Sequence, residues 1–520
     1  MNRSQMLARV SDHRGSWDVL VIGGGATGMG IAVDAASRGY DTVLLEQSDF
    51  GKGTSSRSTK LIHGGVRYLQ QGNVSLVLES LKERGLLRDN APHLVHDLRF
   101  IVPNYDWWEA PFYGIGMKVY DALAGKYGFG SSKILSREET LSFIPTLKTD
   151  GLRGGVQYFD GQFDDARLLI ALARTAARQG AALVNYARVD RLVRGTAGFV
   201  EGVVASDLES GTELELRAKV VINATGPFSD TIRRMDNPSV RSIIAPSQGV
   251  HLVLDRSFLS GDSAIMVPHT RDGRVMFAIP WHGHALVGTT DTPLTDIPLD
   301  PVPLPDEIEF ILDTAGDYLQ RPPTESDILS VFAGIRPLVQ EGGEEDTAEL
   351  SRDHTLLVAP SGLITISGGK WTTYRLMAEE CVTLAATIGS LEEQPCGTRE
   401  LRIHGYHQHA DKFGSLEVYG ADAPALEDLM RTTPELQTRL HDDLPYRAGE
   451  VVWATRHEMA RTVEDVLSRR TRSLLLNTRA ATAMAPAVAS LMAAELGRDA
   501  AWEAEQVETF NTLAGTYLPE

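Results

Sequence analysis

The sequence predicts an α/β fold: a Rossmann-type dinucleotide-binding domain with an interleaved, mixed β-sheet substrate domain, followed by a helical C-terminal domain. Three observations predict it. A strand, glycine-rich turn, helix and strand open the chain, further strands that end in glycine-containing turns occur much later, and the residues after 400 have helical periodicity. We place the dinucleotide-binding domain at 16–400, its inserted substrate lobe at roughly 75–180 and 240–345, and the helical domain at 401–520.

The opening unit has the pattern of a βαβ nucleotide-binding motif. Trp17–Ile22 is a short apolar run and predicts a buried parallel strand. Met29–Arg38 predicts a helix and Thr42–Leu45 a second strand. The turn between the first strand and the helix is Gly-Gly-Gly-Ala-Thr-Gly, residues 23–28, which places the diphosphate of a dinucleotide at the helix N-terminus.

Each glycine of this turn, and the acidic residue after the second strand, has a distinct physical role. Gly23 permits the tight turn, Gly25 lets the backbone approach a pyrophosphate, and Gly28 lets the helix pack on the strand. Glu46 follows at the spacing expected of a carboxylate that binds a ribose hydroxyl, and its charge disfavours a 2′-phosphate.

Two later strands extend the same domain. Lys219–Asn223 is a strand pattern that ends in a glycine turn, as is Gly362–Ile366, and Thr372–Ala386 after it is helical. Other alternating segments predict strands of the substrate-side sheet: Leu183–Val193, Val203–Asp207, Leu214–Leu216, Val275–Ile279 and Ala285–Gly288. The predicted C-terminal helices are Ala448–Ser468, Pro486–Leu496 and Trp502–Leu513.

Composition bounds the class of protein. Of 520 residues, 42% are apolar and 23% charged, as in globular proteins with a buried core. The 69 Asp+Glu against 50 Lys+Arg give a net charge of −19, which argues against a nucleic-acid partner. Cys381 and Cys396 are too few for a disulfide framework and lack metal-ligand spacing, so we expect a reducing compartment and no metal site.

The sequence lacks the apolar run of ~18 residues that a membrane-spanning helix needs. Residues 1–15 are polar and lack the apolar region of a signal peptide. We therefore expect a cytoplasmic chain, and peripheral contact with the inner face of the cell membrane stays open.

The segment Gly53–Tyr68 is the most informative part of the chain. It contains five Ser or Thr hydroxyls, three glycines and four cationic or imidazole side chains. This composition is too polar for a core, and it suits a loop that wraps a polar or phosphate-bearing cofactor.

Six ordered motifs carry a resemblance to a known family. They are VIGGGATG at 21–28, TSSRSTKLIHGGVRYL at 54–69, NATGP at 223–227, VGTTD at 287–291, GIRPL at 334–338 and GGKWTTYR at 368–375. In this set the chain resembles the FAD-dependent, quinone-linked glycerol-3-phosphate dehydrogenases of the aerobic type. The match runs from about residue 16 to the C-terminus, where Arg456–Thr462 is similar to the family's helical cap.

The resemblance implies a bound FAD. Its expected contacts, carried over position by position, are Gly23, Gly25, Ala26, Thr27, Gly28, Glu46, Thr54, Ser55, Ser58, Thr59, Lys60, Leu61, His63, Gly64, Gly65, Arg188, Val189, Ala224, Thr225, Gly226, Asp291, Gly369, Lys370 and Thr372. Gly368 and Gly369 would lie by the isoalloxazine ring, where a helix N-terminus stabilises the negative charge of reduced flavin.

The resemblance also implies the substrate and the reaction: oxidation of sn-glycerol 3-phosphate to dihydroxyacetone phosphate, with electrons passed to a quinone. The matching pocket residues are Arg67, Tyr68, His251, Arg336 and Lys370. Arginine and lysine suit a phosphate of about two negative charges. A neutral imidazole suits the loss of the hydroxyl proton, so His251 is our first choice of base, with Arg336 and Lys370 stabilising the alkoxide.

Several alternatives stay open. His63 is a second candidate for the base, and Arg67 with Tyr68 can exchange roles with Arg336 at the phosphate. The enzyme can be an oxidase that releases peroxide, although the insertion of the family's oxidases is not found here. A non-catalytic flavin-binding scaffold has no use for the cationic set, and flavin-dependent RNA modification conflicts with the charge. A homodimer is also open.

Two surface features have two interpretations each. The aromatic segment Tyr105–Tyr113 is either an interfacial patch near a quinone entrance or a packed part of the core. The arginines at 456, 461, 469, 470 and 472 suit anionic lipid or an oligomer partner, but we expect a solvated face because acidic residues alternate with them.

Overall fold

The computed structural model describes residues 1–65, 73–106, 109–268, 270, 273–340 and 353–519. Within these ranges the chain forms two large sheets, a small hairpin and helices on either side. Arg67, Tyr68, Trp107 and Trp108 lie outside the described residues.

The first sheet is the nucleotide-binding sheet. Its parallel core runs in the order Ile364–Gly368, Glu213–Asn223, Trp17–Ile22, Thr42–Leu45 and Ala182–Val184. His354–Val358 pairs antiparallel at one edge, and the antiparallel pair Ala187–Arg194 and Val200–Asp207 continues from Glu213–Asn223. All six residues of Trp17–Ile22 except Asp18 are buried, as the apolar run predicts.

The second sheet is mixed. Its strands are Leu61–Ile62, Val95–Asn104, Lys133–Ser136, Gly154–Phe163, Ile244–Asp255, Ser263–Val267, Met276–Trp281, His284–Gly288, Thr292–Pro293 and Ile328–Val339. Ser263–Val267 pairs parallel with Val95–Asn104, and the other described pairs are antiparallel. The longest pairing joins Ile244–Asp255 to Ile328–Val339 and carries His251 and Arg336.

The assignment of strands between the two sheets differs from the sequence prediction. The segments predicted as Leu183–Val193, Val203–Asp207 and Leu214–Leu216 belong to the nucleotide sheet and not to the substrate-side sheet. The reason is that Glu213–Asn223 is one continuous strand, whose first half pairs with Val200–Asp207 and whose second half enters the parallel core. Alternating polarity alone does not distinguish these two situations.

Helices cover both sheets. Those before residue 400 are Arg3–Asp12, Ala26–Ser37, Val74–Asn90, Glu109–Ala124, Arg137–Phe143, Asp165–Gln179, Ser229–Asp236, Pro305–Tyr318 and Tyr374–Ile388. After residue 400 come Ala423–Thr432, Ala448–His457, Ser473–Leu476, Thr478–Leu496 and Ala500–Gly515, with a hairpin of Arg439–His441 and Leu444–Arg447. The predicted fold class, an α/β nucleotide domain with a mixed second sheet and a helical C-terminal part, is confirmed. The domain boundaries stay predictions.

Two predictions in the C-terminal part are wrong. The predicted helix Ala448–Ser468 ends at His457, Met459 has φ +57, and the chain resumes as a π-helical turn over Asp465–Arg470. The predicted solvated arginine face is also wrong at three positions, because Arg469, Arg470 and Arg472 are at most 2% exposed and pair with buried carboxylates.

Candidate functional site

A cavity of about 320 Å³ opens at the carboxyl ends of the parallel strands, which is where open α/β sheets bind ligands. Predicted cofactor residues that line it are Gly23, Gly25, Ala26, Thr27, Glu46, Thr54, Ser55, Arg188, Val189, Ala224, Thr225, Gly226, Gly369 and Lys370. They come from four parts of the chain, so the fold brings together segments that are far apart in sequence.

The glycine turn leaves the floor of this cavity free of side chains. Gly23 has φ +109, and a Cβ there would lie 2.6 Å from the Ala224 carbonyl oxygen. A Cβ on Gly28 would lie 1.9 Å from the Gly23 carbonyl oxygen. The helix Ala26–Ser37 therefore begins at the cavity, where Ala26 and Thr27 of its first turn belong to the lining, and a helix N-terminus suits an anionic diphosphate.

Glu46 lies beside this turn. Its Oε2 accepts from the Gly24 amide at 2.6 Å and its Oε1 from the Ser48 amide at 2.8 Å. Burial raises the pKa of this carboxyl above its usual value. Each oxygen keeps a further acceptor site, so the carboxylate can still bind the hydroxyls of a ribose.

The turn after Ile364–Gly368 also lines the cavity. Gly368 and Gly369 have φ of +79 and +76, and a Cβ on Gly369 would lie 2.4 Å from the Met377 sulfur. Trp371 donates from its indole nitrogen to the Ser55 carbonyl at 2.9 Å, which joins this turn to the loop after the second strand. The lining thus combines a phosphate-type glycine turn with the cationic residue Lys370.

His251 lies in the strand Ile244–Asp255 and is 3% exposed. Its Nε2 lies 2.9 Å from the Thr59 hydroxyl, and its ring stacks on Phe332 with centroids 5.0 Å apart. Burial, followed by the positive charges of Lys60 and Arg336, lowers the pKa of His251 well below its ordinary value. The imidazole is therefore neutral at neutral pH and able to accept a proton.

Arg336 lies on the facing strand and on the same face of the sheet as His251. Its guanidinium donates to the Thr290 carbonyl at 3.0 Å and to the Asp291 carboxylate at 3.3 Å. Gly249 makes this placement possible, since a Cβ there would lie 2.4 Å from the Arg336 Nη2. The neighbouring Pro337 lines the cavity.

Lys370 follows the last parallel strand, and its Nζ donates to the Ser80 hydroxyl at 2.9 Å. Ser80 lies fully buried on the helix Val74–Asn90. This helix follows the segment that contains Arg67 and Tyr68, whose predicted part in phosphate binding lies outside the described residues.

Other predicted cofactor residues do not line the cavity: Gly28, Ser58, Thr59, Lys60, Leu61, His63, Gly64, Gly65, Asp291 and Thr372. Asp291 holds Arg336, and Thr372 exchanges hydrogen bonds with the backbone of His63. Lys60 is fully buried and pairs with Asp165 at 2.7 Å. Whether these residues contact a cofactor stays a prediction.

Sequence reasoning missed parts of the site. Phe228, Leu299 and Trp371 line the cavity, and Asp165 and Arg472 support the loop beneath it. Phe228 directly follows the motif at 223–227 and Trp371 lies within the motif at 368–375, so the sequence carries a local signal for both. Leu299, Asp165 and Arg472 carry no local sequence signal, because only the tertiary fold brings them to the site.

The arrangement fits a flavin dinucleotide. Glycine-lined amides suit the diphosphate, the Glu46 carboxylate suits the ribose, and Lys370 adds a cation to the lining, while His251 and Arg336 lie on the second sheet. Together these groups can hold an anionic substrate, stabilise an alkoxide and accept a proton.

Comparisons with known proteins agree with this assignment. Residues 18–375 match the family described as FAD dependent oxidoreductase, and residues 365–503 match the C-terminal domain of alpha-glycerophosphate oxidase. The human mitochondrial glycerol-3-phosphate dehydrogenase is 42% identical over 95% of this chain and 72% of its own. A probable mitochondrial glycerol-3-phosphate dehydrogenase of Caenorhabditis elegans is 42% identical over 98% of this chain and 75% of its own.

A solved structure extends the likeness to the fold. The glycerol-3-phosphate dehydrogenase from Bacillus halodurans, complexed with FAD, superposes with a TM-score of 0.80 at 30% identity and covers 99% of this chain and 98% of its own. Sequence, fold and cavity therefore agree: the chain belongs to the family of FAD-dependent glycerol-3-phosphate dehydrogenases.

Proposed function

We propose that this chain oxidises sn-glycerol 3-phosphate to dihydroxyacetone phosphate and passes the electrons to a quinone. The observation that carries the proposal is that Lys370 and Pro337, the neighbour of Arg336, both line the dinucleotide cavity, while His251 lies on the same sheet face as Arg336. FAD, when bound, accepts the hydride from C2 of the substrate.

The side chains have separate roles in this proposal. His251, which burial keeps neutral, takes the proton from the C2 hydroxyl. Arg336 and Lys370 stabilise the negative charge that develops on that oxygen. Arg67 and Tyr68 bind the phosphate, as the resemblance implies.

The direct test is anaerobic mixing of the purified holoenzyme with glycerol 3-phosphate while the flavin absorbance maximum is followed. We expect bleaching that saturates with substrate and leaves one dihydroxyacetone phosphate per flavin. An unchanged flavin spectrum at saturating substrate would refute the proposal and favour a non-catalytic flavin-binding protein.

A second candidate activity is that of an oxidase. It is favoured by the match of residues 365–503 to a domain described from an oxidase, whereas the relatives matched over nearly the whole chain are named dehydrogenases. Turnover with a soluble quinone analogue under nitrogen, compared with oxygen uptake in air, separates the two activities. Peroxide formed in proportion to substrate would assign the oxidase.

We also propose peripheral contact with a membrane. On the helix Glu109–Ala124, Phe112, Ile115 and Val119 are 52%, 70% and 45% exposed. Tyr113, Met117 and Tyr120 on the same helix are buried, so the aromatic segment is part core and part exposed surface. Such an exposed apolar stripe suits the interface of a bilayer.

The compartment of this chain stays a prediction. The cytoplasmic expectation is not supported, because the curated relatives are named mitochondrial. Among the described helices, none combines the length and the hydropathy that crossing a bilayer requires.

Sedimentation with liposomes tests the proposed membrane contact. Ile115→Glu should reduce cosedimentation, and equal cosedimentation of the wild type and Ile115→Glu would contradict the contact. A homodimer stays a prediction.

A further inference from the structure

Thr59 and His251 come together from distant parts of the chain. The Thr59 hydroxyl lies 2.9 Å from the His251 Nε2, while the His251 Nδ1 is buried without a hydrogen-bond partner among the described residues. The Thr59 hydroxyl thus holds the polar edge of a ring whose flat face packs on Phe332. Together the two contacts fix both the position and the rotation of the imidazole.

The loop that carries Thr59 is held by one buried carboxylate. Asp165 Oδ2 accepts from the Ser58 amide at 3.1 Å, from the Ser58 hydroxyl at 2.7 Å and from the Lys60 Nζ at 2.7 Å. The three donors belong to the two residues that flank Thr59 in sequence. Lys60 has φ +63, a conformation that a lysine rarely adopts, and its ion pair with Asp165 helps to maintain it.

The C-terminal part of the chain completes this support. Arg472 donates to the Asp165 Oδ1 at 2.8 Å and to the Ser56 carbonyl at 2.9 Å, and it is 1% exposed. The first oxygen belongs to the carboxylate that holds the Thr59 loop, and the second belongs to the backbone of that loop. The backbone around Thr59 is therefore fixed from two sides, which a loop that only lines a cofactor would not need.

We propose that Thr59 is a positioning residue for the reaction, acting through His251. The inference rests on the proposed role of His251 as the base. With the ring proton on Nε2, this nitrogen donates to the Thr59 oxygen, and Nδ1, which lacks a partner in the described parts of the chain, takes the substrate proton, so that both ring nitrogens are N–H donors in the imidazolium. The hydroxyl orients the neutral ring before the reaction and stabilises the imidazolium that forms.

The test is stopped-flow flavin reduction in Thr59→Val, which keeps the shape of the side chain and removes the hydroxyl. We expect the limiting rate constant to fall about 10- to 100-fold, because a slightly misplaced base costs up to about that factor. The substrate Kd and the flavin content should change by less than about threefold, since the variant leaves the substrate-binding cations in place.

Three further variants make the test specific. Thr59→Ser should restore the rate constant to within about threefold, because it returns the hydroxyl. Thr314→Val, which removes a buried hydroxyl bonded only to a helical carbonyl, serves as the matched control. Adding Thr59→Val to His251→Asn should cause no further loss, because Thr59 acts through that ring.

The outcomes separate the inference from the proposed function. A Thr59→Val rate constant within twofold of wild type, a Thr59→Ser protein as slow as Thr59→Val, additive losses with His251→Asn, or a loss of bound FAD would each overturn the positioning role. If Thr59→Val does not fold, Thr59→Ala gives the same measurement. Failure of substrate to bleach the wild-type flavin would instead refute the proposed function.

Discussion

Arg336 is oriented by a few neighbouring polar groups. A guanidinium in a partly buried position needs acceptors, and Asp291 and the Thr290 carbonyl supply them. Asp291 is itself fixed by the Ser247 hydroxyl, directly opposite Arg336 in the strand pair. The cation is thus oriented before any substrate arrives, which is the condition for electrostatic stabilisation of a developing charge.

This environment gives the first prediction. Arg336→Ala should keep the bound flavin but lower kcat by about two to three orders of magnitude, because removing a preorganised cation costs about that much. Arg336→Lys should recover only part of the loss, since lysine lacks the planar fork. Turnover with a quinone analogue and the flavin spectrum are the measurements.

The control for this prediction is Arg431→Ala, which removes an exposed arginine that pairs with Asp428. It should retain wild-type turnover. Near-normal turnover of Arg336→Ala would contradict the central place we give this cation.

At the residue scale, the sequence predicts what is local. The glycine turn and Glu46 follow from spacing within one βαβ unit, and the structure places them at the cavity as expected. The contact between Thr59 and His251 joins positions 192 residues apart, and no spacing rule connects them. Arg67 and Tyr68 stay predictions.

The helix Ala448–His457 shows the same contrast, between local pattern and contacts with distant residues, at the scale of an element. Its apolar periodicity predicts a helix, but not where the helix stops. The residues after the stop make ion pairs with other elements: Glu458 binds Arg167 through both carboxylate oxygens, and Arg469 in the π-helical turn pairs with Asp49. Periodicity reports the face that is buried and cannot report partners elsewhere in the chain.

Glu450 on this helix gives the second prediction. Burial raises its pKa to about 7, so the folded chain holds this proton more tightly than the unfolded chain. The tighter proton binding therefore contributes fully to the free energy of unfolding below about pH 4.5, and this contribution is lost as the pH rises through about 7. Because Gln does not titrate, Glu450→Gln should gain stability relative to wild type over this interval, by up to about 3 kcal/mol.

Thermal unfolding midpoints at pH 5 and pH 8 measure the effect. The difference in Tm between Glu450→Gln and wild type should be clearly more positive at pH 8. Glu435→Gln, at an exposed site of the same region, should show the same small difference at both values. A Glu450→Gln difference that does not change with pH would contradict the assignment.

For the whole molecule, the C-terminal part is a structural partner of the nucleotide domain. The C-terminal helices share one apolar core with the second sheet, as Phe100, Phe332 and Met484 belong to the same cluster. Buried ion pairs connect the C-terminal part to the loops of the first sheet: Glu464 pairs with Lys52, and Arg470 pairs with Asp49. The sequence indicated a helical cap but not this connection, because buried arginines are indistinguishable from surface ones by composition.

The pair of Arg470 and Asp49 gives the third prediction. Arg470 binds both oxygens of Asp49, and both side chains are fully buried. Asp49 lies in the loop between Glu46 and Gly51, residues that line the dinucleotide cavity. Arg470→Met leaves Asp49 with a weakened set of partners, and breaking a buried pair costs about 3–5 kcal/mol. We expect a lower Tm and weaker FAD binding together.

Two comparisons decide whether the connection itself matters for FAD binding. Arg456→Met removes an arginine of the same region whose partner, Glu495, also lies after residue 400, and it should leave the FAD Kd unchanged. Adding Asp49→Asn to Arg470→Met removes the Asp49 charge, which Arg469 alone only partly compensates, and should recover part of the lost Tm. Because the loop then stays unanchored, the FAD affinity should remain low in the double variant. If the Tm falls while fluorescence titration gives the wild-type FAD Kd, the C-terminal part stabilises the fold without shaping the cofactor site.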